Sequence, residues 1–203
     1  IVDKLEALGL RENTIIIFMS DNGHSEETGN RIRLDNHRSG YPKGHFYGAS
    51  GGGSTGKWIG QKGSFLEGGV RVPAIISYPA KLPKGKVRGQ IITAMDWFPT
   101  VLDLCGVQQL SDSPKLDGHS VLPLIRSAKA KSKHMTLHFA WGAKWAVREG
   151  DWKLIGSEGN AKVSLRNLVD AKPEVKDYAK AKPEIVQRLR NLHSAWVKEV
   201  SPK

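Results

Sequence analysis

The stretch that most constrains the fold reads TIIIFMSDN, from Thr14 to Asn22, and Gly23 follows it directly. Its apolar run, Ile15 to Met19, is rich in β-branched residues and too short for an ordinary helix, so it predicts a strand buried on both faces. Such strands are typical of parallel sheets flanked by helices, and ligands bind beyond their carboxyl ends. The stretch therefore predicts an α/β fold with a functional site where the strand ends.

Asp21, Asn22 and Gly23 stand at that end of the predicted strand. Adjacent carboxylate and amide oxygens suit a hard divalent cation such as calcium or magnesium, and glycine lets the backbone turn sharply. An Asx turn or a helix cap after the strand explains the same residues equally well. On these residues alone, the metal site and the turn both remain open.

The rest of the chain is organised in two regions. Residues 23–63 lack a helical or alternating period but are rich in histidine, aromatic and cationic residues, which favours an ordered loop over a site. A second buried strand at 74–78 and a core helix at 91–104 follow. From about residue 135, strand-like pieces separated by glycines predict a small antiparallel sheet, closed by a terminal helix at 183–200. We expect domains at residues 1–130 and 131–203.

Composition limits the class of protein. The chain has 203 residues, 39% of them hydrophobic, and a formal net charge of +11, which indicates a soluble globular protein with an anionic partner. No segment approaches the roughly 18 apolar residues of a membrane span. The single Cys105 excludes an internal disulfide and is expected to be a buried thiol. The first residues already read as helix, so we expect the true N-terminus to lie upstream.

Three segments, in this order, resemble the type I sulfatases of the alkaline phosphatase-like superfamily. They are SDNG after the first strand, GQKGSFLEGGVRVPAII at 60–76, and MDWFPTVLDLCGV at 95–107. Weaker similarity follows in LDGHSVLPLI at 116–125 and AVREGDWKLI at 146–155. The resemblance implies the C-terminal part of a mostly parallel, helix-flanked α/β sheet, followed by the small antiparallel sheet and terminal helix.

The resemblance also implies a reaction, the hydrolysis of sulfate esters with the help of a divalent metal, most often Ca²⁺ and otherwise Mg²⁺. Asp21 and Asn22 match two metal ligands of the family, and Lys62 matches the lysine that contacts the sulfate. Fixed cations suit the negative charge that builds up on sulfate oxygens. The family's nucleophile is a formylglycine made within a C/S-x-P-x-R motif, which this sequence lacks. We expect the formylglycine in a missing N-terminal part, and we expect the chain alone to be inactive.

Other residues near these motifs are candidates for contacts with substrate. His24 is expected to reach the leaving group or the substrate rim, although a loop histidine bonded to backbone explains it as well. Lys57 and His45 are expected on the substrate side, or else as solvated surface, and His37 is a weaker candidate of the same kind. In the segment at 67–73 we expect structural roles, with Arg71 paired to a buried acid.

The expected whole protein is a sulfatase acting on sulfated carbohydrates or aryl sulfates, periplasmic or secreted by family resemblance. A phosphatase or phosphodiesterase of the same superfamily is one alternative, which would want further His and Asp ligands for a second metal. A polyanion-binding module without catalysis is another, because the chain is strongly basic. No nucleic-acid motif is present, and the basic residues are scattered rather than clustered.

Overall fold

A computed structural model describes residues 1–24, 31–32, 46–47, 54–109 and 111–201, with only the backbone at 31–32 and 46–47. Two short 3-10 turns lie at Arg11–Asn13 and Ala94–Asp96. The helices are α1 (Val2–Ala7), α2 (Glu67–Val70), α3 (Trp97–Cys105), α4 (Leu122–Arg126) and α5 (Pro183–Val200). The strands are β1 (Ile16–Met19), β2 (Arg31–Ile32), β3 (Phe46–Tyr47), β4 (Ala74–Ser77), β5 (Thr136–Trp141), β6 (Lys144–Glu149), β7 (Trp152–Ser157) and β8 (Asn160–Asn167).

The described strands form separate antiparallel sheets. β1 pairs with β4, β2 pairs with β3, and β5 to β8 pair in chain order as a four-stranded meander. The chain splits into two compact units, Ile1–Met19 with Ala74–Met135 and Ser20–Pro73 with Thr136–Lys203. The expected domains at residues 1–130 and 131–203 stay a prediction. Among the described residues, no helix combines the length and apolar character needed to span a bilayer.

In the first unit, both predicted strands form, but their surroundings differ from the prediction. β1 runs antiparallel to β4, so the parallel pairing expected for such strands is wrong for this pair. Burial on both faces is also wrong, because Phe18 is 64% exposed and its cross-strand partner Ile75 is 60% exposed. The opposite face carries Ile15 and Ile76 into the core. An unbroken apolar run cannot by itself show whether one or both faces are covered.

The predicted core helix at residues 91–104 begins later than expected. Thr93 and Asp96 form a capping box, in which the Thr93 N–H donates to Asp96 Oδ2 at 2.7 Å, and the regular helix α3 starts only at Trp97. The cap therefore overrides the apolar spacing upstream of it. Leu104 is buried in the core, whereas Cys105 at the end of the helix is exposed. The expectation of a buried thiol is wrong, because Cys105 occupies the helix end directly before the Gly106 cap.

In the second unit, the predicted antiparallel sheet and terminal helix are confirmed. One face of the sheet packs against α5, with Val147, Leu154, Leu165 and Leu189 at the centre of the core. Each of these four side chains is fully buried. α5 contributes Leu189 from an apolar stripe at helical spacing, and the alternation along the strands supplies the other half of the contact. This core holds the sheet as a rigid support for its opposite face.

One histidine on the edge strand β5 and one on α5 stack with tryptophans. The His138 ring stacks on Trp196 with centroids 4.9 Å apart, and the His193 ring stacks on Trp145 at 4.2 Å. The Nδ1 atoms of both histidines are buried and have no hydrogen-bond partner among the described residues. A proton added at either Nδ1 would therefore lose its hydration without gaining an acceptor.

The stability of the second unit is expected to fall as the solution is acidified from pH 7 to pH 5.5. Burial lowers the pKa of His138, as does nearby His193, while Glu199 opposes the shift. Burial also lowers the pKa of His193, against an opposing effect of Glu158. In the unfolded chain both histidines take up a proton near pH 6.5, whereas in the folded chain they do so only at lower pH. Their contribution to stability is therefore complete above about pH 6.5 and falls below it, where the unfolded chain binds more protons.

Thermal unfolding followed by circular dichroism at several pH values tests this expectation. The melting temperature of the double variant His138→Gln, His193→Gln should depend less on pH over the same interval. An equally steep decrease in the double variant would show that other groups cause the acid sensitivity.

Candidate functional site

Two segments of the second unit cross at the predicted site. One is residues 20–24, directly after β1, and the other is residues 59–70, which ends in α2. The Gly23 N–H donates to the Gly69 carbonyl at 2.9 Å, and the Lys62 N–H donates to the His24 carbonyl at 2.8 Å. These bonds place Lys62 beside the residues that follow the Asp21–Asn22 pair.

Close backbone packing explains the glycines at this crossing. A Cβ added to Gly23 would collide with the Gly68 carbonyl, and one added to Gly69 would collide with the Gln61 carbonyl. A Cβ on Gly68 would in turn meet the carbonyl of Gly60. Larger residues therefore cannot occupy these positions without moving backbone. The structural role predicted for the glycines of the 67–73 segment, Gly68 and Gly69, is confirmed.

The Asp21–Asn22 pair presents oxygen atoms that suit a hard cation. The Asp21 side chain is exposed, and its Oδ1 accepts the Asn22 N–H at 3.0 Å. The Asn22 Nδ2 donates to the Gly23 carbonyl at 2.9 Å, which turns the amide Oδ1 away from that bond. A carboxylate and an amide oxygen are ligands that calcium and magnesium accept. The pair therefore fits part of such a site.

Further ligands would be needed to complete this site. The described part of the chain holds no group of three or more His, Cys, Asp or Glu side chains placed to bind a metal. Calcium takes about six to eight oxygen ligands and magnesium about six. The metal role of Asp21 and Asn22 therefore stays a prediction that this geometry fits.

The predicted substrate residues are placed as follows. Lys62 and Lys57 are exposed, and the Lys57 ammonium lies 4.8 Å from the ring centroid of Trp58. His24 is partly buried, and its Nδ1 has no hydrogen-bond partner within the described ranges. His45, like His37, lies outside the described residues. Of the predicted residues, the structure thus brings Asp21, Asn22, His24 and Lys62 into one neighbourhood, and their roles stay predictions.

The segment that carries Lys62 rests on the face of the β5–β8 sheet opposite α5. Phe65 packs near Phe139 of β5, with ring centroids 6.0 Å apart. Trp141, two residues further along β5 and on the same face, lies against Gly63, so that a Cβ there would be 3.4 Å from the Trp141 Cζ3 atom. The sheet therefore contacts the segment at Phe65 and lies beside it at Gly63, the residues on either side of Ser64.

A buried cluster of charges around Glu67 holds the C-terminal end of this segment, where α2 begins. Glu67 is 2% exposed, and its carboxylate binds the Lys153 ammonium through Oε1 and the Arg148 guanidinium through Oε2, the latter at 3.1 Å. Arg71 approaches the same Oε2 at 3.5 Å. Arg71 therefore pairs with a buried acid, which confirms the prediction.

Glu174 joins this cluster from the connection between β8 and α5. Its Oε2 accepts the Glu67 N–H at 2.7 Å, and its Oε1 lies 3.2 Å from the Lys153 Nζ. Lys153 also donates to the Phe65 carbonyl at 2.9 Å. Glu174 has a φ of 61°, a left-handed conformation that is uncommon for a residue with a side chain and costs free energy. The contacts of its carboxylate offset this cost.

Sequence reasoning did not identify Lys153, Glu174 or Trp141. Lys153 stands in a strand between Trp152 and Leu154, where alternation gives a lysine no sign of burial. Glu174 lies 107 residues from the backbone amide that it accepts, and no local pattern reports such a pairing. Trp141 and Lys144 are cross-strand partners in the β5–β6 hairpin. An aromatic residue and a cation placed so close together in the sequence were the available signal for Trp141.

Comparisons with known proteins show which family this chain resembles. The sequence profile of the family described as Sulfatase matches residues 1–107, and that described as N-sulphoglucosamine sulphohydrolase, C-terminal, matches residues 57–191. Steryl-sulfatase from Mus musculus is 37% identical over 146 residues, 71% of this chain and 21% of that protein. Arylsulfatase D from Homo sapiens is 33% identical over 162 residues, 76% of this chain and 24% of that protein. The chain thus spans less than a quarter of either relative.

A solved structure shows the same fold. A protein of the Bacteroides thetaiotaomicron locus for metabolism of multiple glycosaminoglycans superposes with a TM-score of 0.68 at 24% identity, covering 96% of this chain and 41% of that one. This match confirms the predicted alkaline phosphatase-like α/β fold. The sulfatase profile covers more than half of the residues of this chain, and the chain therefore belongs to the sulfatase family.

Proposed function

We propose that this chain forms part of the catalytic site of a sulfuric ester hydrolase. The observation that carries the proposal is the crossing of the two segments, in which the Lys62 N–H donates to the His24 carbonyl at 2.8 Å. It brings a cation, a histidine and an oxygen-rich pair to one place, as the hydrolysis of an anionic ester requires. Membership of the sulfatase family supports the choice of sulfate over other anions.

In this proposal, each residue has one task. Lys62 binds a sulfate oxygen and stabilises the charge that builds up on the sulfate as the ester bond breaks. His24 lies on the leaving-group side, where its imidazole can exchange a proton with the ester oxygen. Lys57 and His45 attract and hold the anionic substrate. A periplasmic or secreted location, inferred from the family alone, belongs to the same proposal.

Asp21 and Asn22 would hold the metal ion, most often Ca²⁺ in this family and otherwise Mg²⁺. When bound, such an ion supplies positive charge that polarises the sulfate group. The family's formylglycine requires a C/S-x-P-x-R motif that this sequence lacks, so we assign no nucleophile among these residues. The residues present bind, orient and neutralise the sulfate.

The proposal is tested with the protein expressed from its complete gene. We expect release of sulfate from 4-nitrophenyl sulfate, loss of this activity in EDTA, and its return when calcium or magnesium is added. A protein that hydrolyses 4-nitrophenyl phosphate while releasing no sulfate would overturn the proposal in favour of a phosphatase. Activity that is indifferent to EDTA would overturn the metal assignment.

The variant Asp21→Ala is expected to abolish binding of calcium, because it removes the one negatively charged oxygen donor of the pair. Isothermal titration calorimetry with calcium chloride measures the effect. Asp151→Ala, which removes an exposed carboxylate from the β6–β7 turn, serves as the control and should bind calcium as the parent protein does. Unchanged calcium affinity in Asp21→Ala would contradict the metal role.

A further inference from the structure

The β5–β6 hairpin carries a tryptophan that neither the family motifs nor the buried core explains. Trp141 is 64% exposed, although it lies on the sheet face that supports the Lys62 segment. Phe139, on the same face, is partly covered by Phe65 at a centroid distance of 6.0 Å. Trp141 lies beyond Phe139 on this face, next to Gly63, and most of its indole is exposed.

Gly63 keeps this edge of the indole open. Its φ of +84° is a conformation that residues with side chains rarely adopt, and it places hydrogen atoms alone near the ring. The Trp141 Cζ3 and Cη2 atoms lie 3.4 and 3.9 Å from the position that a Cβ would occupy. A side chain at residue 63 would therefore contact this ring edge, and glycine leaves the edge without that cover.

One cation lies over this aromatic surface, and a second belongs to the segment beside it. The Lys144 ammonium lies 6.0 Å from the Trp141 ring centroid, and Lys62 is the neighbour of the contacted glycine. A π-surface beside positive charges suits a ligand that joins a flat apolar ring to an anionic group. A sulfate ester on an aromatic ring has this composition, and a pyranose sulfate can place the apolar C–H face of its ring on the same surface.

We propose that Trp141 is a platform on which the ring bearing the sulfate ester stacks, and thus a residue that determines substrate specificity. This inference rests on the proposed function, because it places the sulfate at Lys62. Stacking orients the ring while Lys62 holds the sulfate, so Trp141 contributes mainly to binding. Lys144, whose ammonium lies over the Trp141 ring, adds attraction for the anion on that side of the platform.

The test compares Trp141→Ala and Trp141→Phe in the protein expressed from its complete gene. Loss of one stacked ring is expected to raise KM for 4-nitrophenyl sulfate roughly tenfold, with kcat changed much less. Trp141→Phe should recover most of the loss, because phenylalanine retains a stacking face. Val169→Ala is the control, since Val169 is 67% exposed and follows β8, the opposite edge strand of the sheet.

Glucosamine 6-sulfate serves as a second substrate and identifies the kind of ring. A loss confined to the nitrophenyl ester assigns the platform to aromatic rings, and a loss with both esters assigns it to aromatic and pyranose rings alike. An unchanged KM with both esters overturns the platform while leaving the sulfatase proposal intact. If the parent protein releases no sulfate, equilibrium dialysis with 4-nitrophenyl sulfate replaces the kinetic assay, and equal dissociation constants for parent and Trp141→Ala overturn the platform.

Discussion

Replacing Lys62 with alanine is expected to lower kcat/KM for an aryl sulfate by about two to three orders of magnitude, which is typical when one charged donor to the transition state is lost. The ammonium group is proposed to bind a sulfate oxygen on which negative charge increases as the ester bond breaks. Asp21 and Asn22 would hold the metal on the same sulfate. Their functional atoms are therefore expected within roughly 8 Å of the Lys62 ammonium, from ordinary ligand and hydrogen-bond lengths.

Steady-state kinetics on 4-nitrophenyl sulfate measures the effect, and a thermal melt checks the fold. The Lys62 side chain is exposed, so its removal should lower activity far more than it lowers the melting temperature. Lys180→Ala, which removes another exposed lysine of the second unit, controls for the loss of overall positive charge. Near-normal turnover by Lys62→Ala would refute the assignment of the lysine to the sulfate.

The sequence was sufficient to predict those parts of the fold that depend on local periodicity. The apolar run ending at Met19 forms a strand, and the stripe containing Leu189 forms the terminal helix that covers one face of a small sheet. Local periodicity did not predict which strands pair or which faces are covered. β1 and β4 pair antiparallel with Phe18 and Ile75 outward, because pairing depends on the path of the chain between them.

The candidate site shows the same limit. Asp21, Asn22 and Lys62 were predicted from short motifs and from family resemblance, and the crossing of their segments depends on glycines that the motif already contains. Lys153 and Glu174 were not predicted. They act through contacts spanning 86 and 107 residues of sequence, and a strand lysine or a loop glutamate ordinarily predicts solvent exposure.

Replacing Lys153 with methionine is expected to lower the free energy of unfolding by about 3–5 kcal/mol, the usual cost of removing one partner from a buried ion pair. Lys153 is fully buried, and its ammonium neutralises Glu67 and Glu174 while donating to the Phe65 carbonyl. Methionine fills a similar volume, so the loss reflects uncompensated charge rather than a cavity. Urea unfolding followed by circular dichroism measures the change.

Arg188→Ala provides the comparison for a surface ion pair. The Arg188 guanidinium binds Glu149 at 2.8 Å, but its side chain is 55% exposed. Solvent screens such a pair, and its removal should cost at most about 1 kcal/mol. A loss in Lys153→Met as small as that in Arg188→Ala would show that the buried cluster contributes little to stability.

The double variant Lys153→Met, Glu174→Gln separates charge from packing. Glutamine keeps an oxygen that can accept the Glu67 N–H, which Glu174 now accepts at 2.7 Å, but it carries no charge. If uncompensated charge causes the instability, this second substitution should restore part of the lost free energy, although each change alone destabilises the protein. The same cluster fixes Phe65 and Glu67 in the segment that carries Lys62, so we expect kcat/KM to recover together with stability. If the double variant is less stable than Lys153→Met, the Glu174 charge stabilises the fold through groups other than Lys153.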